Sequence, residues 1–211
     1  MFFRQIPSGP MQNFSYIVAD DKSKEAAIFD CGWDVEEMLQ IAAKEKLKMK
    51  KIILTHSHFD HVQKLNELFD RTKAEIFAHE MEVDGIKKSA KTSLEIKNLK
   101  DNDTISIGSL KAKILHTPGH SVGAMCILIE NKLITGDTLF VNAIGRVDLP
   151  GGDALKLFES LQKIKKLDDS VEIYPGHDYG NIPFDTLGNQ KKTNPYLKPD
   201  KKEDFLRLFS Y

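Results

Sequence analysis

The segment LTHSHFDH, Leu54 to His61, places three of the chain's seven histidines and an aspartate within six residues. His56 and His58 are one residue apart, so on an extended or turning segment both imidazoles can converge on one ion. Asp60 and His61 can turn toward a second position as the next helix starts. A solvated, His-rich loop is the competing reading of this segment taken alone. Three further segments weigh against it: KAKILHT runs into Pro118-Gly119-His120, KLIT into Gly136-Asp137, and VEIYP into Gly176-His177. In each, a glycine directly precedes a ligand-type residue, which lets the backbone turn sharply or approach closely. Five histidines and two aspartates at four strand ends form a donor set suited to two divalent ions. Imidazole with carboxylate and without thiolate suits zinc, iron or manganese in sites left open for water or substrate. A closed structural site more often uses cysteine and needs fewer donors, which argues against a non-catalytic metal-binding module.

The elements that must hold these residues are legible from periodicity. FFRQI, FSYIVAD and AAIFD read as strands separated by turn residues. A helix is predicted from Asp34, as N-cap, to about Lys48, with Val35, Met38, Leu39, Ala42, Ala43 and Leu47 on one face. KKIILT is a short buried strand leading into the histidine cluster, followed by a second amphipathic helix carrying Val62, Leu65, Leu68 and Phe69. AEIFAH is a strand, and residues 80–100 read as helix plus loop. TISI, LKAKILH, GAMCILIE and KLITGD read as consecutive antiparallel strands. A Gly/Pro-rich loop spans Thr138 to Gly152, a helix Asp153 to Lys166, and VEIYP a further strand before the loop GHDYGN. Short helical patterns close the chain at Asp185 to Lys192 and Lys201 to Phe209. Strands followed by helices in each half suggest two packed sheets with helices outside them.

Composition bounds the function classes. A chain of 211 residues with 41% hydrophobic and 29% charged residues has the make-up of an ordinary globular protein. No interdomain linker or low-complexity segment appears, so a single domain over residues 1–211 is expected. Formal net charge −1 supplies no field to draw in nucleic acid or anionic membrane. The lysines at Lys44 to Lys51 and Lys163 to Lys166 read as solvated helix ends. Cys31 and Cys126 do not resemble a secreted disulfide framework, and Cys126, inside AMCILI, reads as a small buried hydrophobe. Without a signal-like or membrane-length apolar run, a cytoplasmic location is the expectation.

THSHFDH, TPGHS, TGD and YPGH, in this order and at these intervals, resemble the metallo-β-lactamase-fold hydrolases over nearly the whole chain. Within that superfamily, GDTLFVNAIGRVDLPGGD, PGHDYGN and TNPYL resemble the short glyoxalase II-like proteins and also the persulfide dioxygenases. The resemblance implies an α/β fold: a four-layered αββα sandwich of two mixed β-sheets flanked by helices, with metals along one sheet edge. It implies that His56, His58 and His120 hold one ion, that Asp60, His61 and His177 hold another, and that Asp137 bridges them. The implied cofactors are two divalent ions, zinc first, with iron or manganese as alternatives. The implied reaction is hydrolysis of a small-molecule thioester by a hydroxide held between the ions, with Asp60 orienting it. The principal alternative is a persulfide dioxygenase using one iron held by His56, His120 and Asp137. A lactonase or β-lactamase-type hydrolase ranks lower. Near-neutral charge weighs against a nucleic-acid-processing member.

Two departures from the pattern stand out. Val62-Gln63-Lys64 replaces the glycine expected soon after the cluster, which bears on local pocket shape. The sequence also stops soon after TNPYL, whereas the longer glyoxalase II enzymes add a helical domain that grips glutathione, so weak glutathione recognition is expected. Among the remaining residues, His79 reads as a solvated or hydrogen-bonded surface residue, and His116 as a candidate support for a ligand. Arg146 and Asp148 read as an ion pair bracing the site loop, with anion binding by Arg146 as the alternative. Tyr179 is a candidate pocket residue.

Overall fold

A computed structural model describes residues 1–209. Two six-stranded sheets form its centre, with strand orders β1-β2-β3-β4-β5-β6 and β14-β13-β10-β9-β8-β7. The first contains β1 (Phe2–Ser8), β2 (Asn13–Ala19), β3 (Glu25–Phe29), β4 (Lys48–Leu54), β5 (Glu75–His79) and β6 (Lys97–Leu99). Its first three strands are antiparallel, and β3 to β6 run parallel. The second contains β7 (Thr104–Ile107), β8 (Leu110–His116), β9 (Met125–Ile129), β10 (Lys132–Gly136), β13 (Glu172–Pro175) and β14 (Asp185–Thr186). Here β10 and β13 pair in parallel and the remaining pairs are antiparallel, so both sheets are mixed.

The period of two along each strand builds the layers. On β2, Phe14, Tyr16 and Val18 enter the core between the sheets, while Ile17 and Ala19 face outward into a second core. On β9, Met125, Ile127 and Ile129 face the inter-sheet core and Cys126 faces a third. The second core is closed by helices α1 (Val35–Lys44), α3 (Leu65–Thr72) and α4 (Val83–Ser89), through Met38, Leu65, Leu68 and Ile86. The third is closed by α5 (Ala154–Lys165), α6 (Leu187–Thr193) and α7 (Lys202–Arg207), through Leu157, Leu161, Leu187 and Phe205. The result is the expected four-layered αββα sandwich. Cys126 is buried as expected.

Several local expectations are corrected. Asp34 takes the N-cap position of α1 as expected, but in the left-handed region (φ 42°) its side chain makes no capping bond; its carboxylate accepts instead from Ser8 Oγ (3.1 Å) and Gly9 N (2.8 Å). Helix α1 stops at Lys44 because Lys46 adopts φ 57° and Leu47 N donates to Ala42 O, so Lys48, Lys50 and Lys51 lie on β4. The single helix expected after the cluster is two, α2 (Phe59–Val62) and α3. Cys31 interrupts it: its N–H donates to His61 O at 2.8 Å, and its carbonyl accepts from Lys64 N at 3.0 Å. Gln63 (φ −62°) and Lys64 (φ −97°) keep ordinary backbone angles, so no glycine is needed at this break. Residues 80–100 also contain β6, and the loop after Asp137 contains a small hairpin of β11 (Leu139–Phe140) and β12 (Ala143–Ile144).

Candidate metal centre

All four ligand-bearing segments meet at one edge of the sandwich, where the two sheets are joined by backbone hydrogen bonds. Phe14 N donates to Gly176 O at 2.8 Å, Asp178 N to Gln12 O at 2.7 Å, and Met125 N to Thr55 O at 3.1 Å. The register shift between β10 and β13 sets Gly136 opposite Pro175, and Gly176 N donates to Gly136 O. Asp137 and His177 therefore emerge side by side. A Cβ at Gly176 would collide with Asp137 Oδ1 and the His61 ring, so glycine is required for close approach. Gly119, at φ 136°, lies against the backbone of Leu157 on α5, which brings His120 in from the opposite side.

The seven residues form one cluster. His58 Nδ1 lies 2.8 Å from His120 Nε2, and His61 Nε2 lies 3.2 Å from His177 Nε2. Asp137 reaches both groups: Oδ1 is 3.4 Å from His61 Nε2, and Oδ2 is 3.5 Å from His120 Nε2 and 3.3 Å from His177 Nε2. Asp60 Oδ2 is 3.3 Å from His177 Nε2. Potential donor atoms lie within 4.8 Å of one another in three sets: His56, His58 and His120; His56, His61 and Asp137; and Asp60, His61 and His177.

Most of the donors are pinned from behind. His61 Nδ1 is 2.9 Å from Asp30 Oδ2, His56 Nδ1 3.0 Å from Thr55 Oγ1, His120 Nδ1 2.8 Å from Arg146 O, and His177 Nδ1 2.9 Å from Met11 O. Asn13 Nδ2 donates to Asp60 Oδ2 at 2.9 Å. Such outer hydrogen bonds leave Nε2 of each pinned imidazole directed into the cluster, as a metal ligand requires. Among the described residues, buried His56 Nε2 and Asp137 Oδ1 lack any hydrogen-bond partner. Buried polar atoms rarely stay unpaired unless an ion or water completes them. The donor set fits divalent cations.

The electrostatics divide the cluster. Burial, reinforced by the neighbouring imidazoles, pushes His56 well below the ordinary histidine range, and burial together with His120 lowers His58. Burial also opposes protonation of His61 and His177, but the carboxylates prevail: Asp137, Asp30 and Asp60 raise His61 to about 9, and Asp137 and Asp60 raise His177 to about 10. Burial disfavours ionisation of Asp60 and Asp137, yet His177 and His61 hold both below the usual carboxylate range. The carboxylates thus create a potential that favours positive charge.

A cavity of about 580 Å³ opens over the cluster. Phe59, Met11, Phe140, Ile144, Leu149 and Tyr179 contribute to its walls. Tyr179 stacks on the His177 ring, with centroids 4.6 Å apart. Arg146 also lines the cavity, and its side chain is held by Asp148 through two bonds of 2.6 Å, as the ion-pair reading expects.

Two histidine expectations are corrected. His79 is only 4% exposed, so it is not a surface residue; it stacks on His116 at 3.9 Å and accepts from Met81 N. His116 does not touch the cluster: its Nε2 lies 3.1 Å from Val122 O, within the loop that follows His120. The supporting residue in that region is Glu82, 1% exposed, which accepts from Ser121 Oγ and Gly123 N at 2.7 Å each. Sequence reading missed Asp30, Asn13 and Glu82. Asp30 left a signal, since it ends a strand as Asp137 does. Asn13 reads only as a turn residue, and Glu82 lies in the segment resolved merely as helix plus loop.

The family model of the metallo-β-lactamase superfamily matches residues 8–177. The chain belongs to the metallo-β-lactamase superfamily. A probable polyketide biosynthesis zinc-dependent hydrolase, PksB of Bacillus subtilis (strain 168), is 33% identical over 197 residues, covering 93% of this chain and 86% of its own. Among solved structures, ETHE1 from Myxococcus xanthus superposes with a TM-score of 0.89 at 27% identity, covering all of this chain and 90% of its own. TTHA1623 in a di-iron-bound form has a TM-score of 0.80 at 29% identity, covering 92% of this chain and 100% of its own. This superfamily member is a metal-dependent hydrolase that binds divalent metal through a His/Asp cluster. Among the described residues, no helix is long and apolar enough to cross a membrane.

Proposed function

We propose that this metallo-β-lactamase-fold protein is a dinuclear thioester hydrolase. His56, His58 and His120 would hold one ion and Asp60, His61 and His177 the other, with Asp137 shared between them and zinc as the native metal. The observation that carries this reading is the arrangement of Asp137. Its carboxylate lies within 3.5 Å of imidazoles from both groups, and its buried Oδ1 has no hydrogen-bond partner. When bound, the ions supply a water acidified toward neutrality and positive charge facing the developing oxyanion.

The protein's own groups supply the remainder. Asp60, kept ionised by His177 and His61 and fixed by Asn13, accepts a hydrogen bond from the attacking water and orients it. The cavity walls shield the reacting carbonyl from bulk water. A thiolate leaves readily, so the site needs no separate strong acid.

The test combines metal analysis with an anaerobic assay. Metal-replete protein should contain about two ions per chain, and its zinc form should cleave a simple thioester without oxygen. A ceiling of one ion, with oxygen uptake on a persulfide by the iron form and no cleavage by the zinc form, would assign the mononuclear dioxygenase reading instead.

A further inference from the structure

The cavity walls contrast with its floor. Phe59 is 50% exposed, Tyr179 52% and Met11 38%, and all three turn large side chains into the same mouth from different segments. Ile144 and Leu149 continue the apolar surface on the far side. Exposed hydrophobics gathered around one opening mark a ligand surface, whereas scattered ones carry no message. The charge distribution points the same way. Among the described residues, Arg146 is the one lysine or arginine that lines this cavity, and two of its guanidinium N–H groups are engaged by Asp148. A thiol arm bearing carboxylates would have to compete with Asp148 for this one guanidinium. A hydrocarbon chain would find the desolvating wall that it needs.

We infer that the substrate is a thioester whose acyl group is an apolar chain of at least about four carbons, seated against the Phe59, Ile144, Leu149 and Tyr179 wall. The inference rests on the thioesterase reading and specifies its substrate class. The cavity, at about 580 Å³, falls within the range of roughly 300–1,000 Å³ that ordinarily encloses a small ligand. Each buried methylene improves binding about two- to fourfold, so chain length is the natural probe.

The experiment uses the zinc-loaded full chain and a neutral thiol arm: N-acetylcysteamine thioesters from acetyl to octanoyl, with S-D-lactoylglutathione for comparison. A parallel titration measures binding of the uncleavable S-alkyl-N-acetylcysteamine thioethers by calorimetry. The expected result is a kcat/KM at least about tenfold higher for hexanoyl than for acetyl, matched by tighter thioether binding. Hexanoyl should also exceed lactoylglutathione, and Leu149→Asn should flatten the chain-length slope. Cleavage with a flat chain-length profile, or a preference for lactoylglutathione, overturns the acyl-chain inference and leaves the thioesterase reading standing. Chain-length-dependent thioether binding without cleavage of any thioester overturns the reaction and supports the apolar ligand class. Absence of both cleavage and binding overturns the two together.

Discussion

The floor and the wall of the active-site cavity are built by different physics. The floor consists mainly of buried polar groups, most of them held by a second polar group: His61 by Asp30, Asp60 by Asn13, His120 by the carbonyl of Arg146 and His177 by that of Met11. The wall consists of partly exposed apolar side chains on a short hairpin, a four-residue helix and loops, with few directed bonds. Hydrogen-bonded networks in a low-dielectric setting specify position sharply, so the floor fixes the chemistry. Apolar contact is undirected and scales with area, so the wall sets which substrates stay bound. Damage to the floor should therefore lower metal affinity and turnover. Damage to the wall should change chain-length preference with metal content intact.

The largest expected effect comes from Asp137→Ala. Removing the shared carboxylate should weaken both ions together and lower kcat/KM on the order of 10³-fold, read by metal analysis and steady-state kinetics. Loss of one ion with the other retained at full affinity would break the bridging assignment. Next, Asp30→Ala leaves His61 Nδ1 and Thr55 N without their carboxylate, and metal affinity measured by chelator competition should fall about 10–100-fold. Unchanged affinity would show that the floor does not depend on its outer hydrogen bonds.

Glu82→Ala tests the same principle one step further out. Ser121 Oγ and Gly123 N lose a buried acceptor, at a cost of about 1–3 kcal/mol in urea unfolding, with a smaller loss of metal affinity than for Asp30→Ala. Glu82→Gln keeps a carbonyl acceptor and should recover most of both. His79→Ala should destabilise the fold through the lost His116 stack while leaving bound metal unchanged. The smallest effect belongs to Arg146→Ala. His120 bonds to the main-chain carbonyl of Arg146, and the side-chain pair with Asp148 is solvent-exposed and screened, so metal content and stability should both stay near wild type. Loss of metal in that variant would tie the wall to the floor.

The sequence by itself picked out the candidate donors and suggested two packed sheets with helices outside them. His56, His58, Asp60 and His61 fall within one short segment, and His120, Asp137 and His177 each follow a glycine at a strand end. FSYIVAD was legible as a strand, and its alternation, a local property, sends Phe14, Tyr16 and Val18 to one core and Ile17 and Ala19 to another. Tertiary structure decided the supports. Asp30 meets His61 across 31 residues, Asn13 meets Asp60 across 47, and Glu82 meets Gly123 across 41. No local period encodes such pairings, and two of the supporting acceptors are backbone carbonyls that any residue could supply. The break between α2 and α3 was also a tertiary decision, since Cys31 captures His61 O and Lys64 N from outside the segment. The apolar wall was hidden for the same reason. Met11, Phe59, Ile144 and Tyr179 lie far apart in the chain, and only the packing of the two sheets gathers them over the metal-binding edge.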